Sequence, residues 1–122
     1  MRLFSASEPV TVKGENISVK SLSGSQRTYL RGLAHSLRPV IQVGKNGITP
    51  ELINAVDEAL GFHELIKIKF VDFKEERKEL SVQISEKTSS EAVGMIGNIA
   101  IFYREQPDEE KRKIKLPLLN QE

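Results

Sequence analysis

The segment Pro39-Val-Ile-Gln-Val-Gly-Lys-Asn-Gly-Ile-Thr-Pro50 constrains the fold of this chain more than any other. A short apolar run, Val40, Ile41 and Val43, stops at Gly44-Lys-Asn-Gly47. Thr49 and Pro50 follow, an N-cap residue and a residue suited to the first helical position, where a missing N–H costs nothing. Leu52, Ile53, Val56, Ala59 and Leu60 then recur at helical spacing, and Glu51 lies near the helix's positive end. The pattern predicts a buried strand, a tight GxxG loop and a helix start. Glycines at both ends of the loop permit close approach to its backbone. The helix N-terminus adds N–H groups and partial positive charge, and Lys45 sits between the glycines. These features make a seat for a nucleic-acid phosphate backbone.

The flanking sequence fits helices and strands around that unit. Residues 26–37 place Leu30, Leu33, Ala34 and Leu37 on one helical face, with Ser23 or Ser25 as cap and Pro39 as terminator. Arg27 and Arg31, four residues apart, share another face. Gly61 is placed to end the second helix. Residues 65–71 alternate apolar and basic, which predicts a strand with one buried face and with Lys67 and Lys69 together on the other. Residues 74–88 fit two patterns. Leu80, Val82 and Ile84 alternate as in a strand, whereas Leu80, Ile84 and the charged residues before them also suit a helix. Residues 91–103 read as a hairpin turning at Gly97-Asn98. Residues 106–112 read as a charged loop and 113–117 as a short extended segment. Residues 1–21 read as an N-terminal extension, a flexible tail or a weak hairpin, and residues 118–122 as a C-terminal tail. The order is that of one mixed α/β domain.

Charge supports the binding reading. The net charge is only +1, but Lys20, Arg27, Arg31, Arg38 and Lys45 precede Ile48 with no acid from residue 20 to 47. Residues 48–65 then carry Glu51, Asp57, Glu58 and Glu64 and no Lys or Arg. A near-neutral total thus conceals a basic face.

Catalytic constellations are not evident. His35 and His63 are the two histidines and lie in no HxxxH or HExxH pattern. Cysteine is absent, which removes disulfides and thiolate metal sites and suits a cytoplasmic protein. The carboxylate runs at Glu75-Glu76 and 108–110 mix with Lys and Arg and read as solvated faces. No serine lies in GxSxG, and the glycine loop lacks the spacing of a Walker loop. The expectation is a non-enzymatic protein with no metal, cofactor or small-molecule substrate. No apolar run is long enough for a membrane span, and the first residues lack the apolar stretch of a secretory signal. Tyr29, Phe62, Phe70, Phe73, Phe102 and Tyr103 form no RRM-type stacking pair and read mostly as core. Few stacking platforms favour structured RNA over single-strand reading.

Four stretches resemble the CRM RNA-binding domain, and within that family the small bacterial stand-alone proteins of the YhbY type. They are Leu22-Ser-Gly-Ser-Gln-Arg-Thr-Tyr-Leu-Arg-Gly-Leu-Ala-His35, the 39–50 segment, His63-Glu-Leu-Ile-Lys-Ile-Lys69, and Ile96-Gly-Asn-Ile-Ala-Ile-Phe-Tyr-Arg104. The resemblance covers residues 22–117. It implies an αβαβαββ domain with a four-stranded mixed sheet, similar to the C-terminal domain of translation initiation factor three, and tips residues 74–88 to helix. It implies RNA binding through Gly44, Lys45, Asn46 and Gly47 and through Arg27 and Arg31 of the first helix. Arg38 extends that basic set, and Lys67, Lys69 and Arg104 are further candidates. The resemblance also implies association with ribosomal RNA in precursors of the large ribosomal subunit. A protein–protein adaptor docking on a ribosomal protein is the alternative.

Overall fold

Each helix begins where the sequence supplies a cap. In the computed structural model, which describes residues 22–117, Ser23 closes a capping box: its Oγ accepts from Gln26 N at 3.1 Å, and Gln26 Oε1 accepts from Ser23 N at 3.0 Å. Helix α1 (Gly24–Ala34) follows. It stops short of the expected Leu37. His35 N turns back to Gly32 O, Leu37 N to Ala34 O, and Val40 N already bonds to Lys67 O at 3.0 Å. The chain unwinds early because it must reach the sheet. Pro39 restrains only the residue before it.

Strand β1 (Ile41–Val43) leads through the 44–47 loop to helix α2 (Pro50–His63). Thr49 Oγ1 caps Leu52 N at 3.0 Å, and Pro50 occupies the first turn, as the sequence predicts. Gly61 does not terminate α2. The helix runs on to His63, and Glu64 takes the positive φ, at 64°, with its N–H still bonded to Leu60 O. Strand β2 (Leu65–Phe70) and a 3-10 turn (Lys74–Glu76) precede helix α3 (Arg77–Thr88). Residues 77–88 are therefore helical. Ser81, Ile84 and Thr88 face inward while Val82 is exposed, so the period-two pattern carries no strand. Thr88 Oγ1 satisfies itself on Ile84 O at 2.7 Å, which lets a polar side chain sit on the inner face. Strands β3 (Glu91–Ile96) and β4 (Ile99–Tyr103) turn at Gly97-Asn98, with Gly97 at φ 59°.

The sheet order is β1-β2-β4-β3, with β1 parallel to β2 and the other pairs antiparallel. The element order is αβαβαββ, as the resemblance implies. Two apolar cores lie on opposite faces of the sheet. On one, Val43, Ile66, Ile68, Phe70, Ala100 and Phe102 pack against Val56 and Leu60 of α2 and Ile84 of α3. On the other, Leu65, Val93, Ile101 and Tyr103 pack against Leu30 and Ala34 of α1. Strand β2 therefore has two buried faces at its start. Leu65 shares the face of Lys67 and Lys69 but lies in the α1 core. Of the six aromatics read mostly as core, Phe70, Phe102 and Tyr103 are buried, whereas Tyr29, Phe62 and Phe73 are exposed.

Glu64 fastens the chain beyond β4. It is 1% exposed, and its carboxylate accepts from Gln106 N at 2.8 Å, Lys113 N at 2.7 Å and Ile114 N at 3.0 Å. Residues 112–117 adopt no regular strand, yet Ile114 and Leu116 pack on the α1 core and Pro117 O accepts from Gln26 Nε2 at 2.8 Å. Glu64→Ala removes the acceptor of three main-chain donors. We expect a loss of about 3 kcal/mol in urea denaturation, with early proteolysis after residue 105, and a smaller loss for Glu64→Gln, which keeps one acceptor oxygen. Tyr103 sits nearby with its hydroxyl unpartnered among the described residues. Its burial, and behind it the charges of Glu105 and Glu64, raise the phenol well above its ordinary value of 10.0. The unfolded chain releases this proton as pH passes about 10, whereas the folded chain keeps it. The stability tied to the neutral phenol is present below that pH and is lost as pH rises toward the folded value. Tyr103→Phe lacks that loss. Between pH 7 and 11 its stability relative to the parent, read from urea midpoints, is expected to improve by about 1 kcal/mol.

Candidate nucleic-acid interface

Two hydrogen bonds anchor the entrance of the 44–47 loop. Val71 N and Asp72 N both donate to Val43 O, at 3.0 and 3.1 Å. The loop itself is a tight turn closed by Gly47 N on Gly44 O at 3.0 Å, with Lys45 and Asn46 exposed at its centre. Gly47 has φ 66°, and a β-carbon there would meet the Phe73 ring at 3.4 Å. No atom lies within 4 Å of the corresponding position at Gly44, so the backbone there faces open space. Among the described residues, the N–H groups of Lys45, Asn46 and Ile48 meet no acceptor. The first turn of α2 offers less: Pro50 has no N–H, Leu52 N is held by Thr49 Oγ1 and Ile53 N by Thr49 O. The loop rather than the helix end therefore supplies most of the available donors.

The cations named from the sequence do not form one cluster. Lys69 is exposed, one residue from the end of β2 nearest the loop, and pairs in register with Gln42 and Ile99. Lys67 lies further along the same face. Its Nζ donates to Leu37 O at 3.0 Å and reaches His35 O at 3.5 Å, so it neutralises the carbonyl end of α1. Arg27 and Arg31 run along α1 above the edge strand β3. Arg27 pairs with Glu91 and donates to Ala92 O at 3.1 Å. Arg31 donates to Val93 O at 2.9 Å and Thr28 Oγ1 at 3.1 Å, and its side chain lies over Gly94, where a β-carbon would sit 2.6 Å from Cδ. Both arginines thus brace α1 against the sheet, and Arg31 remains exposed.

Arg104 lies at the opposite end of the sheet from the loop. It pairs with Asp57 at 2.6 Å and donates to Thr88 O at 2.8 Å and Asp57 O at 2.9 Å, joining α2 to α3. With strands rising about 3.3 Å per residue, the six residues of β2 separate these two ends by roughly 20 Å. Arg38 is exposed on a different surface, a groove of about 530 Å³ between α1 and the segment after β4. Leu33 and Leu37, read from the sequence as part of the apolar helical face, line that groove, each 38% exposed. They are uncovered because α1 presents Leu30 and Ala34 to the sheet, and the chain past Ala34 leaves the helix.

Sequence reasoning did not single out Lys113 and Lys115, which flank the groove, or Phe73, which lies against the loop. The alternation of Lys113-Ile-Lys-Leu is the signal that could have marked the first two. Nothing in the sequence around Phe73 announces its placement. Its backbone is left-handed, at φ 58° and ψ 39°, a conformation that bulky residues seldom adopt.

The chain has counterparts among known proteins. A Haemophilus influenzae protein named "RNA-binding protein" is 42% identical over 98 residues, spanning 80% of this chain and 96% of its own length. "Probable RNA-binding protein YqeI" of Bacillus subtilis is 35% identical over 97 residues, spanning 79% of this chain and 99% of its own. The solution structure of a hypothetical protein of Staphylococcus aureus, SAV1595, superposes with a TM-score of 0.69 at 40% identity, covering 80% of this chain and 100% of that one. The CRS1/YhbY (CRM) domain matches residues 22–104, and the chain belongs to that family.

Proposed function

We propose that this chain is a non-enzymatic RNA-binding protein that holds structured RNA by its phosphate backbone at the 44–47 loop. The observation that carries this reading is a turn whose Lys45, Asn46 and Ile48 N–H groups meet no acceptor among the described residues and whose Lys45 is exposed, beside a helix N-terminus and a Gly44 with open space at its β-carbon position. The RNA-binding names of the relatives from Haemophilus influenzae and Bacillus subtilis support it. Lys69 extends the contact at the end of β2 beside the loop, while Arg31, exposed over β3, adds to the field and already donates to Val93 O and Thr28 Oγ1. Arg27, Lys67 and Arg104 contribute mainly to the field, since each already holds protein acceptors. The family resemblance points to ribosomal RNA in precursors of the large ribosomal subunit, with assembly in the cytoplasm as the setting. Among the described residues no helix is long and apolar enough to cross a membrane.

A second reading, an adaptor for a ribosomal protein with RNA contact secondary, is favoured by the groove beside α1. Leu33, Leu37 and Ile114 give it an apolar floor, and Arg38, Lys113 and Lys115 suit an acidic protein segment. A complex with precursor subunits that survives RNase treatment would assign the interaction to this mode, and one that dissolves would assign it to RNA.

The loop itself is tested by a salt titration of binding to precursor large-subunit RNA. Lys45→Glu is expected to weaken all RNAs about equally and to reduce the slope of log affinity against log salt by about one. Affinity and slope both unchanged in that variant would remove the loop from the interface.

A further inference from the structure

Phe73 is held in a conformation that its own packing does not explain. Its left-handed backbone is costly for a bulky residue and persists only where the surroundings impose it. Burial would be the ordinary return for such strain, yet the residue remains 41% exposed. What the conformation achieves is position. The hydrogen bonds from Val71 N and Asp72 N to Val43 O fix the chain entering Phe73 to the start of the glycine loop. The ring then lies against Gly47, where a β-carbon would meet it at 3.4 Å. Val71, two residues earlier, is also 43% exposed, so the apolar surface here extends beyond a single ring edge.

A part-exposed aromatic ring in contact with the loop read as a phosphate seat has the makings of a nucleobase platform. Every base has a π-face that such a ring can accept, whereas the bases of a continuous duplex are already stacked on each other. We propose that Phe73 stacks an unpaired nucleobase, in a bulge or loop of structured RNA, next to the phosphate held by the 44–47 loop. This rests on the reading of that loop as the phosphate seat. The ring offers no hydrogen-bond donor or acceptor, so the platform selects an unpaired base over a paired one and discriminates little among the four bases.

The test uses the full chain and two RNA hairpins that differ by one bulged nucleotide, with affinities read by fluorescence anisotropy. The parent protein is expected to prefer the bulged hairpin. Phe73→Leu, which keeps an apolar side chain on Gly47, should bind the bulged hairpin roughly tenfold more weakly and the paired one as before. Phe73→Tyr should retain the preference. Equal losses on both hairpins would make the ring a prop for the loop and overturn the stacking role, as would no loss on either. Lys45→Glu separates the two levels. If it weakens both hairpins while Phe73→Leu weakens neither, the phosphate seat stands and the platform falls. If Lys45→Glu changes nothing, the seat falls and the platform with it.

Discussion

Parallel pairing of β1 with β2 sets the position of everything else. Parallel neighbours cannot be joined by a hairpin, so the chain leaving Val43 must cross back over the sheet before β2 can begin. Helix α2 is that crossover. The reversal at the end of β1 therefore has to be abrupt, and it has to deliver the chain to a helix N-terminus. Gly47, at φ 66°, permits the turn, and Thr49 and Pro50 start the helix. The unpaired N–H groups of the loop follow from the same demand, because a turn this short leaves its central amides without partners among the described residues of the sheet or the helix. An open α/β sheet presents such groups at the carboxyl ends of its parallel strands, a recurrent location for ligands.

Charge is distributed by a different logic. A residue count identifies a basic helix, but the fold gives several of its cations structural work. Arg27 and Arg31 hold α1 to β3, Lys67 caps the carbonyl end of α1, and Arg104 ties α2 to α3. A surface ion pair contributes little to stability by itself, typically under about 1 kcal/mol. These groups also satisfy main-chain carbonyls, which makes them braces as well as charges. Lys45 and Lys69 have no such obligation among the described residues. The field near the loop therefore comes from fewer free cations than the sequence suggests.

Most of the architecture was legible in the residues. Thr49-Pro50, the 3.6-residue spacing of Val56 and Leu60, and Gly97-Asn98 each act locally, and each produced the element expected of it. What escaped depends on tertiary partners. The end of α1 is set by Lys67 and by the need to reach β1, not by Pro39. The end of α2 is set by Glu64, whose carboxylate is claimed by residues more than forty positions away, so Gly61 could not reveal it. Residues 74–88 fit two patterns because Leu80, Val82 and Ile84 alternate as in a strand, while the helix that forms buries polar Ser81 and Thr88 beside Ile84, and the resemblance rather than the periodicity decides for helix. The glycine loop was visible as a local motif. The exposed ring beside it was not, since its placement arises from hydrogen bonds between segments distant in sequence.

The Glu64 attachment also bears on where this unit can be cut. The family match ends at residue 104, yet the carboxylate that terminates α2 is satisfied by amides at 106, 113 and 114, and Ile114 and Leu116 complete the packing over α1. A fragment excised at the family boundary would bury an acid with no donors and leave an apolar helix flank bare. For recombination, fusion or transplantation into a larger chain, residues 105–117 therefore belong with the unit that the family match covers.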